Sequence, residues 1–117
     1  METIRNILDR KILVLDGAMG TMIQQRKFTE EDFRGSRFAR HASKIAGCND
    51  ALCLTQPDAI ADIHRQYIEA GADIISTNSF NANAISLSDY GLEHCVAEIN
   101  LAAARLARHA DDQSDRK

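Results

Sequence analysis

The sequence predicts an α/β fold made of consecutive strand and helix units. Three observations predict it: an apolar run without alternation at Ile12-Leu13-Val14-Leu15, a helical stretch from Pro57 to Ala70 with one apolar face, and a second strand-like segment from Ala72 to Thr77 reached across a single glycine. The order strand, excursion, helix, strand, helix is that of parallel strands joined by right-handed crossovers. In such folds the working groups lie past the carboxyl ends of the strands, which here are Asp16 to Thr21 and Thr77 to Asn81.

Taken in order, Ile4, Ile7 and Leu8 recur at helical spacing and predict a short amphipathic helix from Thr3 to Arg10. Ile12 to Leu15 follows as a strand buried on both faces. Asp16-Gly17-Ala18-Met19-Gly20-Thr21 ends that strand, and a short helix is expected from Met22 to about Lys27. Phe28 to Leu54 is polar, dotted with Gly and Arg and weakly periodic, and reads as a long irregular excursion. At Thr55-Gln56-Pro57-Asp58 the signals of a helix start converge: Thr55 as cap, Asp58 reaching back, and Pro57 where no N–H is needed. Ile60, Ile63, Tyr67 and Ile68 line its inner face, and Gly71 supplies the left-handed stop.

Ala72 to Thr77 is the second expected strand, closed by Asn78-Ser79-Phe80-Asn81. A short helix from Ala82 to Tyr90 ends at Gly91, and a longer one carries Leu92, Val96, Ile99, Ala103, Leu106 and Ala107 on one stripe. Residues 1–110 are therefore expected to fold, and 111–117 form a polar tail expected to fray.

Composition narrows the functional classes. Hydrophobic residues at 44% and charged residues at 26% suit a globular core rather than a disordered chain. A formal net charge of −3 offers no basic field for nucleic acid or anionic lipid, so neither is expected as a partner. No apolar run approaches the length of a membrane span and no signal-peptide core follows the N-terminus, so a cytoplasmic location is expected. Cys48, Cys53 and Cys95 are odd in number and form no Cys-x-x-Cys pair, which suits reduced thiols and matches no finger pattern.

The first strand-end motif combines a carboxylate with two glycines that permit positive φ and close backbone approach to a ligand. Its amides can meet a carboxylate while Asp16 accepts from an ammonium, a pairing suited to an amino-acid zwitterion. A tight turn with an Asp cap remains the structural alternative. The motif lacks the Lys-Ser or Lys-Thr ending of a phosphate loop and the dinucleotide glycine pattern. No Lys stands at either strand end to form a Schiff base, which disfavours an aldolase-like lyase. Thr77 and Asn78 place a hydroxyl and an amide beside Asp16 if the two strands are neighbours, although turn formation explains these residue types equally well. His64 sits beside the apolar stripe and reads as a packing or surface histidine, and His41, His94 and His109 have no partner at a catalytic spacing.

Leu15 to Thr21, Asp32-Phe33-Arg34-Gly35, Asn49-Asp50, Ile63-His64, Tyr67 with Glu69 to Ile75, and Thr77-Asn78-Ser79-Phe80 together resemble the amino-terminal part of the homocysteine-binding module of cobalamin-dependent methionine synthases. The resemblance runs from about Ile12 to Arg108. It implies a (β/α)8 TIM barrel of which this chain carries the first two βα units, with homocysteine bound at the carboxyl-end face. It further implies a zinc ion that favours the homocysteine thiolate and a methyl group carried by cobalamin from 5-methyltetrahydrofolate.

Carried over, Asp16, Gly17, Ala18, Gly20 and Thr21 bind substrate, with Thr77 and Asn78 as neighbours. No residue of this chain matches a catalytic or zinc-ligand position. Cys48, Cys53 and Cys95 fall elsewhere, so zinc and cobalamin are expected only in the complete enzyme. The remaining barrel and the folate and cobalamin modules are the partners implied. Weak or no homocysteine binding is expected of this chain by itself, with no zinc-dependent gain. A different class of reading is a truncated, non-catalytic protein that self-associates or binds a partner through exposed strand edges.

Overall fold

The computed structural model describes residues 3–114 and is helical, which corrects the α/β expectation. In chain order the helices are α1 (Ile4–Leu8), α2 (Met19–Gln24), α3 (Glu30–Arg34), α4 (Leu52–Thr55), α5 (Pro57–Glu69), α6 (Ala84–Ser88) and α7 (Val96–Asp112). Short 3-10 turns at Asn49–Ala51 and Glu93–Cys95 lead into α4 and α7. Among the described residues no sheet forms, so the expected first two βα units of a TIM barrel are not found. The two segments expected as strands meet at one isolated parallel bridge, Leu15 with Ile74.

The physical reason is the lack of further strands. A strand of a parallel sheet is stabilised by neighbours on its edges and by helices over its faces, and two short segments alone supply neither. Ile12 is 89% exposed and Val14 and Leu15 are also exposed, where a strand buried on both faces was expected. What remains of the pairing is local: Ile74 N donates to Val14 O at 3.1 Å, Asp16 N to Ile74 O at 2.9 Å, and Val14 N to the Asp73 carboxylate at 2.9 Å.

The helical expectations fare better. α5 starts at Pro57 and stops before Gly71, whose φ of 111° is the left-handed turn anticipated there. Its cap differs, since Gln56 occupies that position without a side-chain bond, and the Thr55 hydroxyl instead donates back to Ala51 O at 3.3 Å. α7 buries Ile99, Ala103 and Ala107 against α5, which buries Ala59, Ile60, Ile63 and His64. The helix continues through Asp112 into the stretch expected to fray. The rest of that tail beyond Ser114, like Met1 and Glu2, lies outside the described residues.

The excursion from Phe28 to Leu54 is part of the core. Phe33, Phe38, Ile45, Cys48, Ala51 and Leu52 are all buried in the cluster that also holds Ile60, Ile63, Leu87 and Ile99. Thr29 and Asp32 form a reciprocal capping box at the start of α3. Beyond α3 the backbone is held by side chains: Arg34 donates to His41 O at 2.6 Å and Ser43 O at 2.9 Å, while its partner Glu30 accepts from Ile45 N at 2.9 Å and Ala46 N at 2.9 Å. Those amides and the Arg34 guanidinium hold the Glu30 carboxyl below the usual range, with the Ile45 amide the largest cause and burial opposing it. No described helix is long and apolar enough to cross a membrane.

Candidate functional site

Past the Leu15 and Ile74 bridge both segments continue side by side, which brings the two predicted motifs together. Asp16 Oδ2 accepts the Ser76 amide at 2.9 Å, so the carboxylate ties the first loop to the second. Asp16 Oδ1 has no hydrogen-bond partner among the described residues. The first loop rests on α5: the Tyr67 hydroxyl donates to Ala18 O at 3.0 Å. A Cβ on Gly17 would lie 3.1 Å from Tyr67 Oη and 3.2 Å from its ring, so a side chain there would oblige the ring to give by a few tenths of an ångström. Positive φ plays no part, since neither Gly17 nor Gly20 has it. Gly20 and Thr21 belong to α2, which begins at Met19, earlier than expected.

In the second loop the predicted residues diverge. Thr77 is exposed and its hydroxyl lies 2.5 Å from that of Ser79. Asn78 is buried, and its amide donates to Asn49 O at 2.9 Å and lies 3.5 Å from Cys53 Sγ. Asn78 therefore anchors the loop from within, and Thr77 is the residue presented outward.

Residues given no chemical role by motif reading complete the arrangement. Asn81 N donates to the buried Asp50 carboxylate at 3.0 Å, so Asn49 and Asp50 fasten the second loop to the excursion. Burial pushes the Asp50 carboxyl above the usual carboxylate range, against the Asn81 amide that lowers it. Only the recurrence of Asn49-Asp50 in the family resemblance marked these positions, because hydrophobic periodicity carries no signal for a buried carboxylate.

Of the two expectations for His64, packing rather than surface is the one found. It is fully buried, at 0% exposure, and neither ring nitrogen has a hydrogen-bond partner among the described residues. Burial lowers its pKa, with the Asp16 carboxylate opposing that shift. A buried polar group without a partner costs about 1–3 kcal/mol, so this ring asks for an explanation that ordinary packing does not give.

The donors available among the described residues do not make a metal site. Among the described residues no three His, Cys, Asp or Glu side chains converge where a metal ion could sit. Cys48, Cys53 and Cys95 are buried free thiols, and burial pushes Cys48 and Cys53 up to about 11, far from the thiolate a zinc site uses. These residues do not fit the zinc implied by the resemblance.

A family model described as homocysteine S-methyltransferase matches residues 13–117. The chain belongs to the homocysteine S-methyltransferase family. The matched span includes both loops, the α5 face beneath them and the Asn49-Asp50 anchor. Membership supports methyl transfer as the general chemistry. The loops around Asp16 and Thr77 lie at adjoining chain segments, and Thr77 is exposed there.

Proposed function

We propose that the two loops hold the amino-acid end of homocysteine for methyl transfer of the methionine synthase type. The observation that carries this reading is the Asp16 carboxylate: one oxygen is committed to the Ser76 amide, and the other has no partner among the described residues. The ammonium of homocysteine meets that second oxygen, and the Thr77 hydroxyl donates to the substrate carboxylate. Gly17, Ala18, Gly20 and Thr21 line the approach, and Asn78 keeps the second loop in place.

Held this way, the homocysteine thiol gives up its proton to solvent, and its sulfur forms the S–C bond of methionine as the bond between the methyl group and its donor breaks. In a reaction of that type the methyl group would come from 5-methyltetrahydrofolate by way of cobalamin, both held on other modules, and this chain's loops would only bind and orient the substrate. Zinc would favour the thiolate, but the described residues offer it no ligand set.

Titration of L-homocysteine, followed by amide shifts in nuclear magnetic resonance, tests this reading. Binding with a dissociation constant on the order of 1 mM, localised to Asp16–Thr21 and Thr77, is the expected result. Unchanged spectra at tens-fold higher ligand would refute it.

A second reading, self-association, is favoured by one observation. Ile12, Val14, Leu15 and Ile74 expose apolar side chains on and beside the single parallel bridge, where further strand pairing is open. Size-exclusion chromatography with light scattering decides it, and a monodisperse monomer at high concentration would count against it.

A further inference from the structure

α5 forms the floor beneath the first loop. Tyr67 and His64 lie three residues apart and so share one face of the helix. Tyr67 is bonded to Ala18 and packed against Gly17, which fixes that face under the loop carrying Asp16. One turn earlier on the same face, His64 is fully buried with two unpartnered ring nitrogens. Asp16 directly precedes Gly17 in that loop, and its carboxylate charge opposes the lowering of the ring's pKa by burial. Asp16 itself uses one oxygen for the Ser76 amide, and a carboxylate has lone pairs for further donors.

We propose that His64 is a positioning residue for Asp16, donating a ring N–H to the carboxylate from beneath when an amino-acid ammonium engages it from above. The neutral imidazole has one N–H to give, and burial favours that neutral form. The loop already rests on the α5 face, so a turn of the Asp16 side chain toward the ring is enough to give His64 its partner as the substrate acquires its own. The cost of the bare ring in the free protein is thereby recovered only in the complex. This inference rests on the homocysteine reading of the loops.

Two variants and one spectroscopic measurement test it. His64→Leu removes the donor, and because no described group depends on that ring, the variant is expected to melt at or above the temperature of the unaltered chain. Its affinity for L-homocysteine is expected to fall about tenfold, the effect of one charge-assisted hydrogen bond, while His64→Gln, which keeps a donor, recovers most of it. In the unaltered chain, ring nitrogen resonances of His64 are expected to move on adding L-homocysteine while those of His41, His94 and His109 stay fixed.

Full affinity in a folded His64→Leu variant would overturn the positioning role and leave the homocysteine reading standing. Should that variant not fold, still ring resonances of His64 in a chain that binds homocysteine would overturn it equally. No binding by the unaltered chain would overturn the homocysteine reading and this inference with it.

Discussion

Asp16 accepts the Ser76 amide at 2.9 Å, and this one bond joins the loops that follow the two segments paired at Leu15 and Ile74. The carboxylate therefore has a structural duty, to which the proposed function adds a separable one toward a ligand. Asp16→Asn keeps an acceptor for Ser76 and removes the charge, so its stability should stay within about 0.5 kcal/mol of the unaltered chain. Asp16→Ala loses both and should cost about 1 kcal/mol in urea unfolding. Both variants should lose homocysteine binding. Retained binding in Asp16→Asn would show that the charge is not what the ligand meets.

Gly17 has a steric rather than a conformational role. A methyl group there would sit 3.1 Å from Tyr67 Oη, so Gly17→Ala should displace the ring and break its bond to Ala18. A loss of roughly 1–2 kcal/mol is expected, together with a changed Tyr67 ultraviolet signature. An unperturbed Tyr67 in the alanine variant would mean the loop lifts freely from α5.

Arg34 holds the excursion in place of regular secondary structure. Removing its guanidinium leaves the carbonyls of Phe38, His41 and Ser43 without that donor and releases Glu30. Arg34→Ala should lower unfolding stability by roughly 1–3 kcal/mol and expose Phe38 and Ile45 amides to exchange. Unchanged exchange in that segment would contradict the assignment.

The buried ionisable groups give stability two opposed pH dependences. The pKa of His64 is lowered in the folded state, so the unfolded chain binds its proton first, and stability is lost as pH falls below about 6.5 through the folded value. The Asp50 value is raised, so its contribution is present below 3.8 and is lost as pH rises through the folded value. Asp50→Asn should therefore gain stability relative to the unaltered chain near pH 7 and lose that advantage near pH 3. His64→Leu should flatten the decline between pH 7 and 5. Thermal melts across this range check both, and a parallel pH profile in His64→Leu would exclude His64 as its source.

Cys48 and Cys53, with thiols pushed up to about 11 by burial, should resist alkylation at pH 8 until the chain unfolds. Rapid labelling of the folded chain by iodoacetamide would contradict their burial.

The parts of the fold legible in the sequence were those set by local periodicity and punctuation. Pro57, the stripe through Ile60 and Ile63, and Gly71 delimit α5 because each acts within a turn or two of itself. The apolar runs around Val14 and Ile74 carry a strand signal as strong as any, yet a strand is a property of its neighbours, and here one bridge is all they make. The excursion was illegible for the opposite reason. Its order comes from Arg34 and Glu30 reaching backbone groups up to sixteen residues away, which leaves no periodic trace.

At the site, Asp16 and Thr77 could be named from their motifs, and the structure brings their loops together through Ser76. That Asn78 turns inward, or that His64 sits bare beneath the loop, depends on packing between distant segments that residue types alone do not encode.

Binding of L-homocysteine compared with 4-mercaptobutanoate, which keeps the thiol and carboxylate and lacks the ammonium, tests the role of Asp16 most directly. In calorimetry or shift titration of the unaltered chain, the analogue should bind at least about tenfold more weakly, and Asp16→Asn should erase the difference. Equal affinity for the two ligands, or a preference that survives in Asp16→Asn, would contradict the assignment of Asp16 to the substrate ammonium.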